Sequence, residues 1–329
     1  MKVLVTGGAG FIGSHLADGY AKRGTEVLVL DNVNDYYSPE LKKLRLEHFL
    51  SESNVKFKNI DLTDLKLTEE AIAEFSPDTI VHLAAQAGVR LPLESYDKYT
   101  SSNLVGFANV LQAAIILKIP NFLYASSSSV YGNSDQLPYS ENQKNLQPIS
   151  YYGATKLSNE ILASAMTNGT STRAIGMRFF TVYGPWGRPD MAYFRLVRAL
   201  ILQEEFTLFG DGSLKRDFTF ISDAVECILA LSDNLALGTS SKHKVFNIGG
   251  GINRSMNDLI SIVNSLSTEQ LQIKKADSFH GDVRVTIADS SNLRDVIGMA
   301  PKNQLEFGIQ AVFNWMKTPE IQNKLINWR

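Results

Sequence analysis

An α/β fold with a doubly wound parallel sheet is predicted by three features of this 329-residue chain. Short, largely apolar runs alternate with segments of helical spacing up to about residue 180. A glycine-rich turn joins the first run to the first helix. The intervals between runs suit right-handed crossovers between parallel strands. The runs are Lys2–Thr6, Glu26–Leu30, Val55–Ile60, Thr79–Leu83, Asn121–Ala125 and Arg173–Phe179. Phe11–Lys22 has Ile12, Leu16 and Tyr20 at four-residue spacing, and Gly24 stops it. Further helices are predicted near 64–74, 95–117 and 151–167.

Beyond about residue 180 the pattern loosens. Short strands (Phe206–Leu208, Val245–Ile248) mix with helices near 193–204, 222–235, 256–266 and 304–317. This predicts a nucleotide-binding region over 1–180 and a smaller substrate-covering region over 181–329. A segment near 215–250 is expected to weave back into the sheet.

Composition narrows the function classes. Hydrophobic residues are 44% and charged residues 20%, an ordinary globular balance. Lys+Arg is 32 against Asp+Glu 34, so no basic field points to nucleic acid or a membrane surface. The single cysteine, Cys227, excludes a disulfide framework, and the five histidines lack ligand spacing, so no metal site is expected. The N-terminal apolar run is too short for a signal-peptide core. The longest uncharged stretch, Tyr99 to Leu117, contains Ser101, Ser102, Asn103, Asn109 and Gln112, and reads as a buried helix. A soluble cytoplasmic protein is the expectation.

Thr6-Gly7-Gly8-Ala9-Gly10-Phe11-Ile12-Gly13 follows the first strand directly. In a Rossmann-type turn Gly7 permits the tight bend, Gly10 lets the backbone approach a pyrophosphate, and Gly13 lets the helix pack close. The helix N-terminus supplies free N–H groups to the phosphates. Asp31, followed by Asn32, stands at the end of the second strand. Its carboxylate suits both ribose hydroxyls and repels a 2′-phosphate, which favours NAD over NADP. Asp61 and Leu62 follow the third strand, where an adenine would lie, although Asp61 or Thr63 also reads as a helix N-cap. Ala84, Ala85 and Gln86 follow the fourth strand, where small residues allow close passage of a cofactor or close helix packing.

Tyr152 and Lys156 open a predicted helix that Ser150 would cap, and at i and i+4 they share a face. A free tyrosine has a pKa of about 10 and is a poor base at neutral pH. A nearby ammonium would favour the phenolate and make Tyr152 a general acid and base for an alcohol proton. The fifth strand runs into Ser126-Ser127-Ser128-Ser129-Val130-Tyr131-Gly132, and the C-terminal edge of such a sheet is where ligands bind.

The combination TGGAGFIG, Asp31, HLAAQAGVR, SSSSVYG, YYGATK and RFFTVYGPWGRPDMA resembles the extended short-chain dehydrogenase/reductases. Within them it is similar to the nucleotide-sugar epimerases, most closely the UDP-glucuronate 4-epimerases. The resemblance spans nearly the whole chain and is most specific at 31–47 and 184–192. It implies NAD held by Gly7, Gly10, Phe11, Ile12, Gly13, Asp31 and Asn32, with Asp61, Leu62, Ala84 and Gln86 near it. It implies Tyr152 as base, Lys156 as its activator and ribose ligand, and Ser127 as hydroxyl partner. On the substrate side it implies Ser128 and Thr181 near the sugar, Arg216 at the diphosphate, and Phe209 and Asp282 near a uridine. Where the family usually has an Arg or a Gln-Pro pair before Gly281, this chain has Ser278-Phe279-His280, which leaves Arg284 as the alternative second diphosphate contact.

The reaction so implied is epimerisation of a UDP-sugar by transient C4 oxidation, rotation of the 4-keto sugar and re-reduction. Sugar dehydratases and decarboxylases of the family carry carboxylates where this chain has Ser128 and Ser129. A neutral UDP-hexose or UDP-N-acetylhexosamine, or a net dehydrogenase or reductase reaction, are the alternatives. Arg188, between Gly187 and Pro189, is the candidate ligand of a C5 carboxylate through two parallel hydrogen bonds. Its other reading is a salt bridge to Asp190 or a solvent-facing side chain. A homodimer is expected through the apolar helices near 95–117 and 151–167.

Overall fold

A computed structural model describes residues 1–89, 91–235, 242–277 and 283–328. Among the described residues there are twelve strands: β1 (Lys2–Thr6), β2 (Glu26–Asp31), β3 (Val55–Asn59), β4 (Thr79–His82), β5 (Asn121–Ser127), β6 (Arg173–Phe179), β7 (Thr181–Tyr183), β8 (Glu205–Phe209), β9 (Lys215–Phe220), β10 (His243–Ile248), β11 (Asn253–Ser255) and β12 (Gln272–Ala276). Seven form one sheet in the order β3-β2-β1-β4-β5-β6-β10, parallel throughout. The order reverses between β1 and β4, so the crevice there opens at the carboxyl ends of both strands, beside the glycine turn.

The near-continuous apolar strands follow from burial on both faces. Successive side chains alternate between two cores. Val3, Val5, Val27, Val29, Val81 and Leu123 enter one core. Leu4, Leu28, Leu30, Ile80, Phe122 and Tyr124 enter the other. The first eight helices are α1 (Phe11–Lys22), α2 (Pro39–Phe49), α3 (Leu65–Phe75), α4 (Tyr96–Tyr99), α5 (Phe107–Ile116), α6 (Tyr151–Thr167), α7 (Ala192–Leu202) and α8 (Ile221–Leu235). α1 and α8 pack together on the first core, and α3, α5 and α6 on the second.

Several elements depart from the sequence expectation. The stretch expected as one helix near 95–117 is α4 and α5 joined by a π-helical turn over Thr100–Gly106. α2 was not expected at all. Its buried positions include Lys42 and Arg45, so its pattern shows no clean apolar stripe. α3 is capped by Asp64, which accepts from the Leu67 amide, and not by Asp61 or Thr63. β10 joins the large sheet beside β6, and α8 packs on α1, whereas β9 lies in a separate sheet of order β11-β9-β7. β8 pairs with β12. The strands β7 and β11, three residues each, are too short for a legible alternation. Among the described residues no helix is long and apolar enough to cross a membrane.

Candidate active site

The β1–α1 turn closes where Gly7 adopts φ +73 and its amide donates to the Leu30 carbonyl at 2.8 Å. A Cβ on Gly7 would lie 2.6 Å from the Ala84 amide nitrogen, so β4 and the turn touch backbone to backbone. Gly13 packs on the Gly7 carbonyl in the same way. Gly10 begins α1 without a side-chain cap, so no side chain competes for the N–H groups of the first turn. Thr6 fixes the far wall: its hydroxyl accepts from the Ala84 amide at 3.2 Å and meets Nδ1 of buried His82 at 2.9 Å. Burial holds that imidazole neutral, with its pKa down to about 3.

Asp31 sits at the tip of β2 and accepts from the Ala9 amide at 3.0 Å and the Val33 amide at 2.8 Å. Burial pushes its carboxyl above the ordinary value, while those amides and the cations Lys42 and Arg45 pull the other way. Asn32 donates to Asp61 at 2.9 Å. Burial raises Asp61 too, but hydrogen bonds from Thr63 and Asn32 outweigh it and hold the carboxyl low. Leu62 is buried, and its carbonyl accepts from Asn109 at 2.9 Å. Gln86 is buried, with its amide bonded to Ser102 at 3.0 Å and Asn103 at 2.8 Å, and its side chain donating to the Ala87 carbonyl. Asn103 also donates to Thr155 on α6 at 3.1 Å. The π-helical turn thus ties the end of β4 to the residue before Lys156. Sequence reading missed Asn103, whose only signal is a polar side chain in an apolar helix.

This cradle fits a dinucleotide. The turn is closed by a glycine in the left-handed region, the helix N-terminus is uncapped, and a carboxylate stands at the neighbouring strand tip.

At the carboxyl end of β5, the Ser127 hydroxyl accepts from the Ser129 amide and donates to the Ser129 hydroxyl, each at 3.1 Å, beside Tyr152. Ser128 follows in a short helical turn, Ser128–Tyr131. Ser150 caps α6 by accepting from Gly153 at 3.0 Å, which points the first turn at the sheet edge. Lys156 is buried, donates from Nζ to the Ala125 carbonyl at 2.9 Å, and lies 5.7 Å from the Tyr152 ring centre. Burial brings its pKa down to about 8.

A cation that the sequence reading did not assign to Tyr152 acts on its phenol. Burial raises the Tyr152 phenol above 10, and the Arg188 charge pulls it back, aided by the neighbouring Ser127 hydroxyl.

Arg188 takes the other of its two expected arrangements. Its Nε and Nη2 donate to Asp190 at 3.0 and 2.5 Å, and its guanidinium lies 6.0 Å over the Tyr36 ring. The fork proposed for a substrate carboxylate therefore faces a carboxylate of the chain itself. Thr181 opens β7, half-buried, just past β6. Phe209 ends β8. Arg216 lies on β9 and donates to the Lys215 carbonyl at 2.9 Å, while the Lys215 amide donates to the Arg284 carbonyl at 3.0 Å, which brings Arg284 alongside. Asp282 lies outside the described residues, as do His280 and Gly281.

The parallel sheet with this cradle at its edge is that of a dinucleotide-dependent enzyme. The model of the NAD dependent epimerase/dehydratase family matches residues 3–249, and the chain belongs to that family. It is similar to UDP-glucuronate 4-epimerase 3 of Arabidopsis thaliana, 38% identical over 332 residues, covering 95% of this chain and 76% of the relative. Protein CapI of Staphylococcus aureus is 36% identical over 328 residues, covering 96% and 98%. The solved UDP-glucuronic acid 4-epimerase of Bacillus cereus, in complex with UDP-glucuronic acid and NAD, matches with a TM-score of 0.88 at 32% identity, covering 96% of this chain and 99% of that one. The protein is an NAD-dependent nucleotide-sugar epimerase.

Proposed function

We propose that this epimerase inverts C4 of UDP-glucuronate to give UDP-galacturonate. The observation that carries the reading is Ser127 at the end of β5 beside Tyr152 in the first turn of α6, with the Arg188 charge near enough to act on the Tyr152 phenol. Gly7, Gly10, Phe11, Ile12, Gly13, Asp31 and Asn32 hold the dinucleotide, with Asp61, Leu62, Ala84 and Gln86 around it. Bound NAD supplies the acceptor and donor of the C4 hydride. Tyr152 takes the C4 hydroxyl proton and later returns it, Ser127 orients that hydroxyl, and Lys156 binds the ribose. Arg216 and Phe209 serve the diphosphate and uridine, and Asp282 belongs with them.

A C5 carboxylate is β to a C4 ketone and is prone to leave as CO₂. Ser128, Thr181 and Arg188 hold the carboxylate out of the geometry that favours loss. For that, Arg188 either exchanges Asp190 for the substrate or binds it with its remaining donors. Relatives named UDP-glucuronate 4-epimerases support the uronate. The Arg188–Asp190 pair favours the second reading, a 4-epimerase of a neutral UDP-sugar.

The test is incubation of the purified protein with UDP-glucuronate and, separately, UDP-glucose, without added NAD. The expected result is UDP-galacturonate, with NAD copurifying and no net NADH. Stoichiometric NADH release would identify a dehydrogenase instead. Arg188→Ala should lose far more activity on UDP-glucuronate than on UDP-glucose, and equal losses would leave the neutral-sugar reading.

A further inference from the structure

One buried side chain joins the glycine turn to the segment that carries Arg188. Arg45, on α2, has no solvent exposure. Its Nε donates to the Trp186 carbonyl and its Nη2 to the Gly187 carbonyl, each at 2.9 Å. Its Nη1 donates to the Ala9 carbonyl at 3.1 Å and to the Tyr37 hydroxyl at 2.6 Å. None of these partners is a carboxylate, and a buried cation without one carries a large desolvation cost. What the place exploits is the planar fork, which reaches three carbonyls from two separate loops. An ammonium cannot do this.

Both loops gain definition from it. Ala9 is held at each pole, its N–H by Asp31 and its carbonyl by Arg45. This orients the peptide planes of the turn that faces the cofactor. At the other end Trp186 adopts φ +61, a strained conformation for a bulky residue. A Cβ on Gly187 would run into the Tyr193 hydroxyl. α2 supplies two more side chains here: His48 stacks on Trp186 at 4.7 Å, and Phe49 meets its edge at 5.7 Å. Arg188 is the next residue after this clamp.

We infer that Arg45 is a positioning residue that couples the cofactor's glycine turn to the Trp186–Asp190 segment, so that one guanidinium sets both. The inference rests on the site reading in which Arg188 faces the sugar, and not on which sugar that is.

The test uses the holoenzyme and whichever UDP-sugar the wild type epimerises. Arg45→Lys keeps the charge and loses the fork, and Tyr37→Phe removes a single partner. Bound NAD per chain, kcat and KM with NAD resupplied, Tm, and hydrogen exchange at 7–13 and 184–190 are measured. Arg45→Lys should retain less NAD and stay at least about tenfold low in kcat at saturating NAD, since small misplacements at a reacting centre are costly. Exchange should rise at the two loops together and not elsewhere. Tyr37→Phe should show a smaller change in the same readouts, which keeps the test decisive if Arg45→Lys does not fold. Wild-type NAD content and kcat in the variants would overturn the inference. So would exchange rising evenly through the molecule, with activity tracking only the folded fraction. A wild type that ignores UDP-glucuronate but epimerises another UDP-sugar would sink the uronate reading and leave this test intact.

Discussion

At the residue scale, Tyr152 faces two opposed influences. Burial favours the neutral phenol, while Arg188 and Ser127 favour the phenolate. As the proposed base, Tyr152 works in its ionised form, so the rate should rise with pH toward a plateau. Arg188→Met removes a positive charge and should move that rise to higher pH. An unmoved pH–rate profile for a neutral UDP-sugar would show that Arg188 does not act on the phenol. Tyr152→Phe removes one hydroxyl from a side chain whose ring contacts remain. Its activity should fall by about 10²–10⁴, the usual contribution of a general acid–base group. Tm and NAD content should stay near wild type, and near-normal turnover would refute the role.

At the element scale, buried polar groups join strands that the backbone ladder leaves separate. Asp217 on β9 has no solvent exposure and accepts from the Gly250, Gly251 and Ala288 amides at 3.0, 2.9 and 2.9 Å. Burial still raises its pKa from 3.8 to about 6. The folded chain therefore holds this proton more tightly than the unfolded chain. Its contribution is fully present below about pH 4 and is lost as pH rises through about 6. Across that window the Tm of wild type should fall relative to Asp217→Asn, which does not titrate there. Parallel pH curves for the two proteins would contradict the assignment. α6 shows the same inward use of charge. Lys156 turns to the Ala125 carbonyl, and Glu160 pairs with Arg178 at 2.7 Å, so neither ion faces outward.

At the scale of the whole molecule, the outer side of α6 is left with Tyr151, Ala154, Ile161, Ser164 and Ala165 exposed. Ile161 is 63% exposed, and Val105 and Ile116 on the neighbouring helical stretch are 44% and 55% exposed. The apolar character of 95–117 is partly spent within the chain, because Phe107, Val110 and Leu111 are fully buried in the α3–α5–α6 core. What remains is an uncharged stripe across two helices, for which we propose a two-fold partner of the same chain. Light scattering at micromolar concentration should give a dimer, and Ile161→Asp should give a monomer. A monomeric wild type would decide against it.

The sequence by itself determined the parallel sheet, the glycine cradle and the Tyr152–Lys156 pair, because each rests on local spacing. Near-continuous apolar strands announce burial on both faces. Gly7 and Gly13 stand where only glycine fits, and an i, i+4 pair shares a helix face wherever the helix lies. The tertiary structure decided everything that depends on partners distant in the chain. α2 was illegible because Arg45 and Lys42 look like solvated charges until the carbonyls of Trp186, Gly187 and Asn34 close around them. That Arg188 meets Asp190 and acts on the Tyr152 phenol was open for the same reason. Composition shows that a cation is present, but its burial and its nearest acceptor arise only when separate loops meet.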